Sequence, residues 1–404
     1  MRDIPALDDI EHRFANIEIS IEKLKQEQAL HVKALDEHNN RLTKLETGVP
    51  IPPPDPEPDP NPTPSNRWGI NLGERQYSDK PWRPDKALLP DGTLNPEYVR
   101  LLKPVAHTIR FMDKNEINNL ISPPAWSYWV KDLDWQIELC NRCSSNFWLN
   151  FFVDSTITFI GDTILYIRNR LNHNLKIIVA WANEPWIGDS TDVGRWMIAQ
   201  SGEQLGGDKF FDLWASRCRR TFEAAKNADP SCITVLETQT ASTWVTEKLH
   251  SRIPNYDALG ITCYYGPGLG STAPSSLTMN ELFDFAHNKL YAKEIPRIQD
   301  QGAFAEANNK LLVSYEGGNH FAIPEYQHAG RESLVKTLIE ANYDSRILTM
   351  YDDIIEAYID AGGSDYRCHF NFLDTNDKYG CWGLGETLDT LETSTKYHHA
   401  TGQL

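Results

Sequence analysis

Hydrophobic and polar positions divide the 404-residue chain into three regions with different spacing. In residues 1–47, apolar side chains follow alternating steps of four and three wherever the register is filled, at Ile10, Phe14, Ile17, Ile21, Leu24, Leu35, Leu42 and Leu45. This heptad spacing predicts an oligomerising coiled-coil helix, and isoleucine at both core positions favours a homotrimer over a dimer. Gln28, His31 and His38 add polar layers that set the register. The alternative is a single amphipathic helix on the rest of the protein, but so narrow a stripe buries little surface.

The second region, residues 48–65, has proline at nearly every second position. Proline without a free N–H opposes helix and sheet, so the segment is predicted to be an extended polyproline II linker. A proline-rich ligand for a recognition domain is the alternative. Acidic residues alternating with the prolines, between two structured regions, favour a spacer.

Residues 66–404 alternate strand-like apolar runs with amphipathic segments. The predicted strands are Arg67–Leu72, His107–Met112, Asn146–Phe152, Leu175–Trp181, Cys232–Glu237, Ala258–Tyr265, Lys310–Tyr315 and His369–Leu373. The predicted helices include Asp134–Arg142, Ile160–Leu171, Lys209–Asn227, Asn280–Ala292, Arg331–Ala341 and Tyr351–Ala361. This order predicts an α/β fold, a (β/α)8 TIM barrel. A doubly wound sheet is the alternative, but the segment after Leu72 lacks a glycine-rich phosphate-binding turn.

Two glutamates follow buried strands. Glu184 comes after strand four in Asn183-Glu184-Pro185, and Glu316 comes after strand seven in Glu316-Gly317-Gly318. The carboxyl ends of TIM-barrel strands form the active-site mouth, so both side chains are expected to point into one cavity.

Cleavage of a glycosidic bond needs two carboxyl groups in different states. One must protonate the leaving oxygen, and the other, ionised, must attack the anomeric carbon or activate water. A pair held about 5 Å apart gives retention of configuration. Trp186 lies beside Glu184, where partial desolvation by its ring would raise the pKa of the acid.

The chain here resembles the clan A retaining glycoside hydrolases, which include cellulase, mannanase and xylanase-like barrels. The match is Asn183-Glu184-Pro185 after strand four and Glu316 after strand seven. The resemblance implies that Glu184 is the general acid/base, Glu316 is the nucleophile, and Asn183 binds the sugar 2-hydroxyl.

The same resemblance implies further substrate-site residues. Arg110 would steady the nucleophile, Tyr264 or Tyr265 would contact it, and Trp382 would form the aromatic floor beneath the reacting sugar. His320, close to Glu316 in sequence, is a further candidate for substrate contact. Each has another interpretation: Arg110 as a structural counter-ion, Trp382 as core, and His320 as a loop residue. The two tyrosines alternate faces, so one is expected to point inward.

Composition narrows the choice of partners. A net charge of −17 argues against binding to nucleic acid or an anionic membrane, and no apolar run is long enough to span a bilayer. Neutral or cationic partners remain open, and the resemblance to glycoside hydrolases implies a carbohydrate substrate. The seven cysteines read as reduced thiols, with Cys140 and Cys143 as core or surface residues. The predicted strand ends supply no cluster of histidine and aspartate, so we expect neither metal nor cofactor.

Two functions follow from these expectations. The first is a glycosidase acting on a polysaccharide or oligosaccharide and displayed on an oligomeric stalk. The second is a structural or adhesive spike whose barrel binds glycans without cleaving them, but such a barrel needs neither glutamate. The sequence shows no secretory signal, so a virion component released by lysis is expected over a classically secreted enzyme, with an intracellular or non-classically secreted one as the alternative.

Overall fold

The structure is a computed structural model that describes residues 68–72, 87–112, 115–270 and 273–402. All of them belong to one compact unit, Ser65–Leu404. The predicted coiled coil of residues 1–47 and the linker of residues 48–65 lie outside the described residues.

Eight parallel strands close into a barrel in chain order, with β1 paired to β8. They are β1 (Trp68–Asn71), β2 (Ala106–Arg110), β3 (Asn146–Phe151), β4 (Ile177–Trp181), β5 (Ile233–Glu237), β6 (Ala258–Tyr265), β7 (Leu311–Asn319) and β8 (Gly363–His369). Closure through Gly69 and Cys368 removes both sheet edges and excludes the open doubly wound sheet. The predicted TIM barrel is confirmed.

Helices follow the strands around the barrel. In the described residues the α-helices span Pro96–Leu102, Trp126–Cys143, Ile157–Arg168, Asp192–Ser201, Asp208–Ala228, Thr243–His250, Met279–Lys289, Ile295–Ala307, Glu332–Glu340, Arg346–Asp360, Leu388–Leu391 and Thr395–Thr401. Shorter helical turns occupy Pro185–Ser190, Leu290–Glu294, Glu325–Gln327 and Ala341–Tyr343. Across these ranges, no helix has both the length and the apolar character required to cross a bilayer.

Local sequence explains where several helices begin. The Thr156 side chain accepts a hydrogen bond from the Phe159 N–H and caps helix Ile157–Arg168. Thr278 and Glu281 form a reciprocal capping box at the start of helix Met279–Lys289. Such caps satisfy backbone donors that have no partner within the helix.

Side chains along each strand point alternately outward and inward, so they form two separate hydrophobic cores. Side chains pointing outward pack beneath the helices in one large apolar cluster. Those pointing inward form a smaller cluster that fills the barrel, composed of Trp148, Ile178, Ala180, Val235, Ala258, Val313, Tyr315 and Cys368. The small Ala180 and Ala258 leave volume that the Trp148 and Tyr315 rings occupy. This packed interior is the floor beneath the carboxyl ends of the strands.

The predicted position of strand eight, His369–Leu373, is wrong. The strand is Gly363–His369. Its residues are too polar for the sequence pattern to predict a buried strand there. The apolar residues after it belong to a loop, in which Phe372 is buried edge-on against Tyr98 of helix Pro96–Leu102. Because apolar residues of this loop are buried, their sequence pattern is similar to that of a buried strand.

Other boundaries also differ from prediction, and two of them affect the site or the core. Strand β7 continues four residues beyond Tyr315, because Glu316–Asn319 pair with Thr262–Tyr265 of β6. Glu316 therefore lies within the strand and not after it. The helix predicted from Asp134 begins at Trp126, and its early aromatic residues Trp129 and Trp135 are buried core residues.

Candidate active site

A fully buried arginine, Arg110, organises the carboxyl end of the barrel. As the last residue of β2, it points inward because alternate strand residues face the same side. Its side chain contacts groups from five other segments: Asn71 at the end of β1, Asn150 on β3, Asn183 after β4, Glu237 at the end of β5 and Glu316 on β7. We call these six residues the Arg110 cluster.

The five N–H groups of the guanidinium match five partners in this cluster. Nε donates to Asn150 Oδ1 at 3.0 Å. Nη1 donates to Asn71 Oδ1 at 2.9 Å and to Glu316 Oε1 at 2.8 Å. Nη2 donates to Asn183 Oδ1 at 2.8 Å and to Glu237 at 3.1 and 3.2 Å. Every donor of the buried cation is thus satisfied, as its removal from water requires.

Glu316 is 6% exposed and held on both oxygens. Oε1 forms the ion pair with Arg110, and Oε2 accepts a hydrogen bond from the Tyr264 hydroxyl at 2.8 Å. The two contacts fix the carboxylate plane, so one orientation is presented to the open end of the barrel.

Glu184 stands beside this cluster on a strained segment. Ala182 and Glu184 both have positive φ, 54° and 42°, in the left-handed region that costs a side chain roughly 1 kcal/mol or more. The Tyr315 hydroxyl donates to Glu184 Oε1 at 2.9 Å. Burial, and then the negative charge of Glu316, raise the pKa of Glu184 to about 8, although the Tyr315 hydrogen bond and Arg110 act in the opposite direction.

A register shift lets neighbouring residues of β7 serve the same cavity. Ser314 pairs with Ile261 and Glu316 with Thr262, so Tyr315 is an extra residue in the ladder. The shift turns both Tyr315 and Glu316 inward, where strict alternation would have placed one of them outside. The Ser314 hydroxyl donates to the Glu316 carbonyl at 2.9 Å and stabilises the irregularity.

Glu237 is a third carboxyl group in the cavity, 5% exposed at the end of β5. Its oxygens pair with Arg110 and accept hydrogen bonds from Asn150 Nδ2 at 3.0 and 3.1 Å. Burial raises the pKa of Glu237 to about 7, and the charge of Glu316 adds to that rise, while Arg110 and Asn150 act to lower it. One cation therefore faces three carboxyl groups.

Aromatic rings border Glu316 on the β6–β8 side. Tyr264 packs edge-on against Trp382 and His320, with centroid distances of 5.9 and 5.7 Å. Trp382 and His320 pack edge-on against each other at 4.8 Å. The Trp382 Nε1–H donates to the Tyr379 carbonyl, which fixes the ring. We call these three residues the aromatic wall. Two of them, Trp382 and His320, are predicted substrate contacts, and both lie beside the Tyr264–Glu316 hydrogen bond.

One of the predicted site residues lies elsewhere, and another has more than one set of contacts. Tyr265 is 1% exposed, and its ring packs against Tyr351 in the helical layer, so of the two tyrosines it is Tyr264 that faces the cavity. Trp186 stacks on Trp214 of helix Asp208–Ala228, with a centroid distance of 5.4 Å. Trp186 also packs against the inward-facing cluster that includes Tyr315, so its predicted effect on the pKa of Glu184 stays a prediction.

The cysteines and possible metal ligands can also be located. Cys140 and Cys143 are buried free thiols at the end of helix Trp126–Cys143, as core packing predicts. Within the part of the chain that the structure describes, no three His, Cys, Asp or Glu side chains are grouped to hold a metal ion.

No protein-family model and no curated protein matches this chain. Solved structures are similar to it over 83% of its length. The α-L-arabinofuranosidase from Thermotoga maritima has 12% identity and a TM-score of 0.52, over 69% of that chain. The GH51 α-L-arabinofuranosidase from Thermotoga petrophila RKU-1 has 11% identity and a TM-score of 0.51, also over 69% of that chain. ZgEngAGH5_4, solved in complex with a cellotriose, has 14% identity and a TM-score of 0.51 over 95% of that chain.

The fold is a (β/α)8 barrel similar to the barrels of these solved structures. The resemblance inferred from Asn183-Glu184-Pro185 and Glu316 is thereby confirmed at the level of the fold. The Arg110 cluster and the aromatic wall lie at the end of this barrel where its strands terminate.

Sequence reasoning missed four residues of the cavity. Asn71, Asn150 and Glu237 are inward-facing polar residues near the carboxyl ends of predicted strands, so counting alternate positions back from each strand end would have found them. Tyr315 gave no such signal, because its inward direction depends on the register shift with β6.

Proposed function

We propose that the barrel is a retaining glycosidase in which Glu184 is the general acid/base and Glu316 is the nucleophile. The observation that carries the proposal is the contrast between two neighbouring carboxyl groups. Glu184, with its pKa raised to about 8, holds a proton at neutral pH, whereas Glu316 is ion-paired to Arg110. Double displacement at an anomeric carbon requires one group in each state.

In the first half-reaction, Glu184 donates its proton to the glycosidic oxygen while a Glu316 oxygen attacks the anomeric carbon. The bond to the leaving group breaks, and a glycosyl ester forms on Glu316. Esterification removes the charge of Glu316, one of the causes that raise the pKa of Glu184. The ionised Glu184 is then suited to take a proton from water.

In the second half-reaction, that water attacks the anomeric carbon from the face the leaving group occupied. The ester bond breaks, Glu316 returns as a carboxylate, and Glu184 is again protonated. Two inversions give net retention. Arg110 and Tyr264, which hold the two Glu316 oxygens, stabilise the carboxylate each time it is released.

For the substrate we propose a polysaccharide or oligosaccharide. Asn183 is 2% exposed and already accepts from Arg110, and its amide nitrogen is oriented by Asn118 Oδ1 at 3.3 Å. That amide lies next to the acid in sequence, where it suits the 2-hydroxyl of the reacting sugar. The aromatic wall offers apolar surface to a pyranose or furanose face.

The test compares Glu316→Gln with Glu184→Ala on a panel of polysaccharides and aryl glycosides. Loss of the nucleophile should lower turnover by at least about 10³-fold on every substrate. Loss of the acid should cost about 10²–10⁴-fold on natural glycosides and much less on aryl glycosides with good leaving groups. Proton NMR of the first-formed sugar should show the anomer of the substrate.

Glu138→Gln is the matched control, because it removes a carboxylate on the exposed part of helix Trp126–Cys143 that pairs with Arg142. Its activity should equal that of the wild type. The proposal fails if the wild-type protein cleaves nothing in the panel, or if Glu316→Gln and Glu184→Ala both retain wild-type rates.

A further inference from the structure

Glu237 is a buried acid that the proposed reaction does not use. Its contacts are Arg110, at 3.1 and 3.2 Å, and Asn150, at 3.0 and 3.1 Å. Those contacts engage both of its carboxyl oxygens with Arg110 and Asn150. It is therefore placed neither to protonate a leaving group nor to attack the sugar, and its role has to be sought in the charge of the cluster.

The charges around Glu184 come from three other residues. Arg110 pulls the pKa of Glu184 down, whereas Glu316 and Glu237 push it up. If Arg110 were paired with Glu316 alone, the ion pair beside Glu184 would have no net charge. Glu237 also pairs with this guanidinium, through Nη2. Arg110, Glu237 and Glu316 together therefore carry a net negative charge whenever both carboxyl groups are ionised.

We propose that Glu237 is a positioning residue that acts through Arg110: its carboxylate offsets the guanidinium charge, so that Glu184 keeps its proton while Glu316 remains an available nucleophile. The roles named for Glu184 and Glu316 rest on the proposed function. The electrostatic coupling of Glu237 to Glu184 does not, and it can be measured without any substrate.

The titratable groups that Glu237 influences, apart from Arg110 and the two other carboxyl groups, remain uncharged near neutral pH. Glu184 faces Tyr315, Glu316, Arg110 and Glu237. Glu237 also influences Tyr315 of β7 and the thiols of Cys218 and Cys368. Burial raises the pKa of each of those three groups well above its ordinary value, so they add no charge near neutral pH.

Spatial constraints also favour a fixed Glu237. Its strand partner on β6 is Gly260, and a Cβ atom at Gly260 would lie 3.2 Å from both Glu237 Cα and Cγ and 2.8 Å from Val235 Cγ1. The absence of a side chain there leaves room for the Glu237 carboxyl to reach Arg110. The neighbouring strand therefore accommodates this acid.

The experiment follows the Glu184 carboxyl carbon by NMR in ¹³C-glutamate-labelled full-length protein, with no substrate present. The signal is assigned through its loss in Glu184→Gln. In Glu237→Gln, which keeps a hydrogen-bond acceptor but loses the charge, the Glu184 titration should move to lower pH by about one unit. In Glu237→Asp, which keeps the charge, it should stay near the wild-type position.

Tyr315→Phe supplies a shift of opposite sign. It removes a hydrogen bond that favours ionised Glu184, so the titration should move to higher pH. Opposite movements in the two variants separate an electrostatic role from general damage. If the protein is a glycosidase, the basic limb of kcat/KM should follow both shifts, with about a tenfold loss on that limb for Glu237→Gln.

An unchanged Glu184 titration in folded Glu237→Gln overturns the inference, even if the rate falls. Should that variant not fold, the wild-type titration decides, because the Glu184 signal must then also respond at the pH where Glu237 ionises. A measured coupling in a protein without glycosidase activity would sink the proposed function alone. Activity without coupling would sink this inference alone.

Discussion

At the scale of single residues, the cavity combines one fully satisfied cation with two buried acids and the partly buried Glu184. The five donors of Arg110 are all matched, so the arginine has one geometry and so do the groups that it holds. Glu184 is the one acid of the three that Arg110 does not hold by a hydrogen bond. It is outside the Arg110 cluster, it has left-handed backbone, and its side chain is hydrogen-bonded by Tyr315. Strain and desolvation therefore concentrate on the residue proposed to exchange a proton.

This arrangement predicts that Glu184 destabilises the protein at high pH. The pKa of Glu184 is about 8 in the folded protein against an ordinary value of 4.5. Between those values the folded state binds more protons than the unfolded state, so the free energy of unfolding falls as pH rises. Glu184→Gln removes this loss and should raise the melting temperature at pH 9 by about 2 °C or more, with little change at pH 4.

Thermal unfolding of both proteins from pH 4 to pH 9 measures the effect. The exposed Glu138→Gln serves again as the control and should show the same difference from wild type at every pH. A Glu184→Gln variant whose advantage does not grow with pH would contradict the raised pKa of Glu184 in the folded state.

At the scale of secondary-structure elements, the site depends on departures from regular strands. The register shift in β7 points Tyr315 and Glu316 into the same cavity. Gly260 in β6 provides space for Glu237 on β5. Both features lie where strands β5, β6 and β7 approach the mouth of the barrel. They adapt a regular barrel to hold several polar side chains close together.

Gly260→Ala should therefore be costly. The added methyl group would press on Val235 and on the Glu237 backbone and side chain, and overpacking of this kind costs roughly 1–3 kcal/mol. It should also move Glu237 away from Arg110 and lower activity. Gly161→Ala is the matched control: nothing lies within 4 Å of a Cβ there, in the middle of helix Ile157–Arg168.

Chemical denaturation distinguishes the two substitutions. The control should stabilise the protein by about 0.5–1 kcal/mol, because alanine loses less conformational entropy than glycine in a helix. Equal stability changes in both variants would show that β5 and β6 have more freedom than their packing indicates.

At the scale of the whole molecule, the sequence predicts that assembly and chemistry are separable. The heptad pattern lies in residues 1–47 and the proline-rich segment in residues 48–65, whereas the cavity is built entirely within Ser65–Leu404. We expect the full chain to be oligomeric and a chain starting at Asn66 to be monomeric and folded, with unchanged activity on small substrates.

Sedimentation velocity of the two proteins measures this difference. Binding to a glycan-coated surface should weaken on truncation, because joined barrels gain avidity without new contacts. A monomeric full-length protein would contradict the predicted coiled coil, and an oligomeric truncated protein would place the interface on the barrel.

The sequence alone determined the order of elements and the position of the two principal acids. Strand and helix periods are local properties, so seven of the eight strands were located to within a few residues. Glu184 and Glu316 could be selected because each follows a buried run at a known end of a strand. Strand β8 was misplaced because its own residues are polar and the loop behind it is apolar.

Only the tertiary structure decided how these residues work together. Arg110 meets Glu316, 206 positions away, because the barrel closes, and closure depends on pairing between strands that are distant in sequence. The same pairing shifts the register of β7, turns Tyr315 inward, and leaves Tyr264 rather than Tyr265 at the cavity. It also pairs Glu237 with Nη2 of Arg110, while Glu316 pairs with Nη1. Local alternation says which residues face inward, but only long-range register says which of them touch.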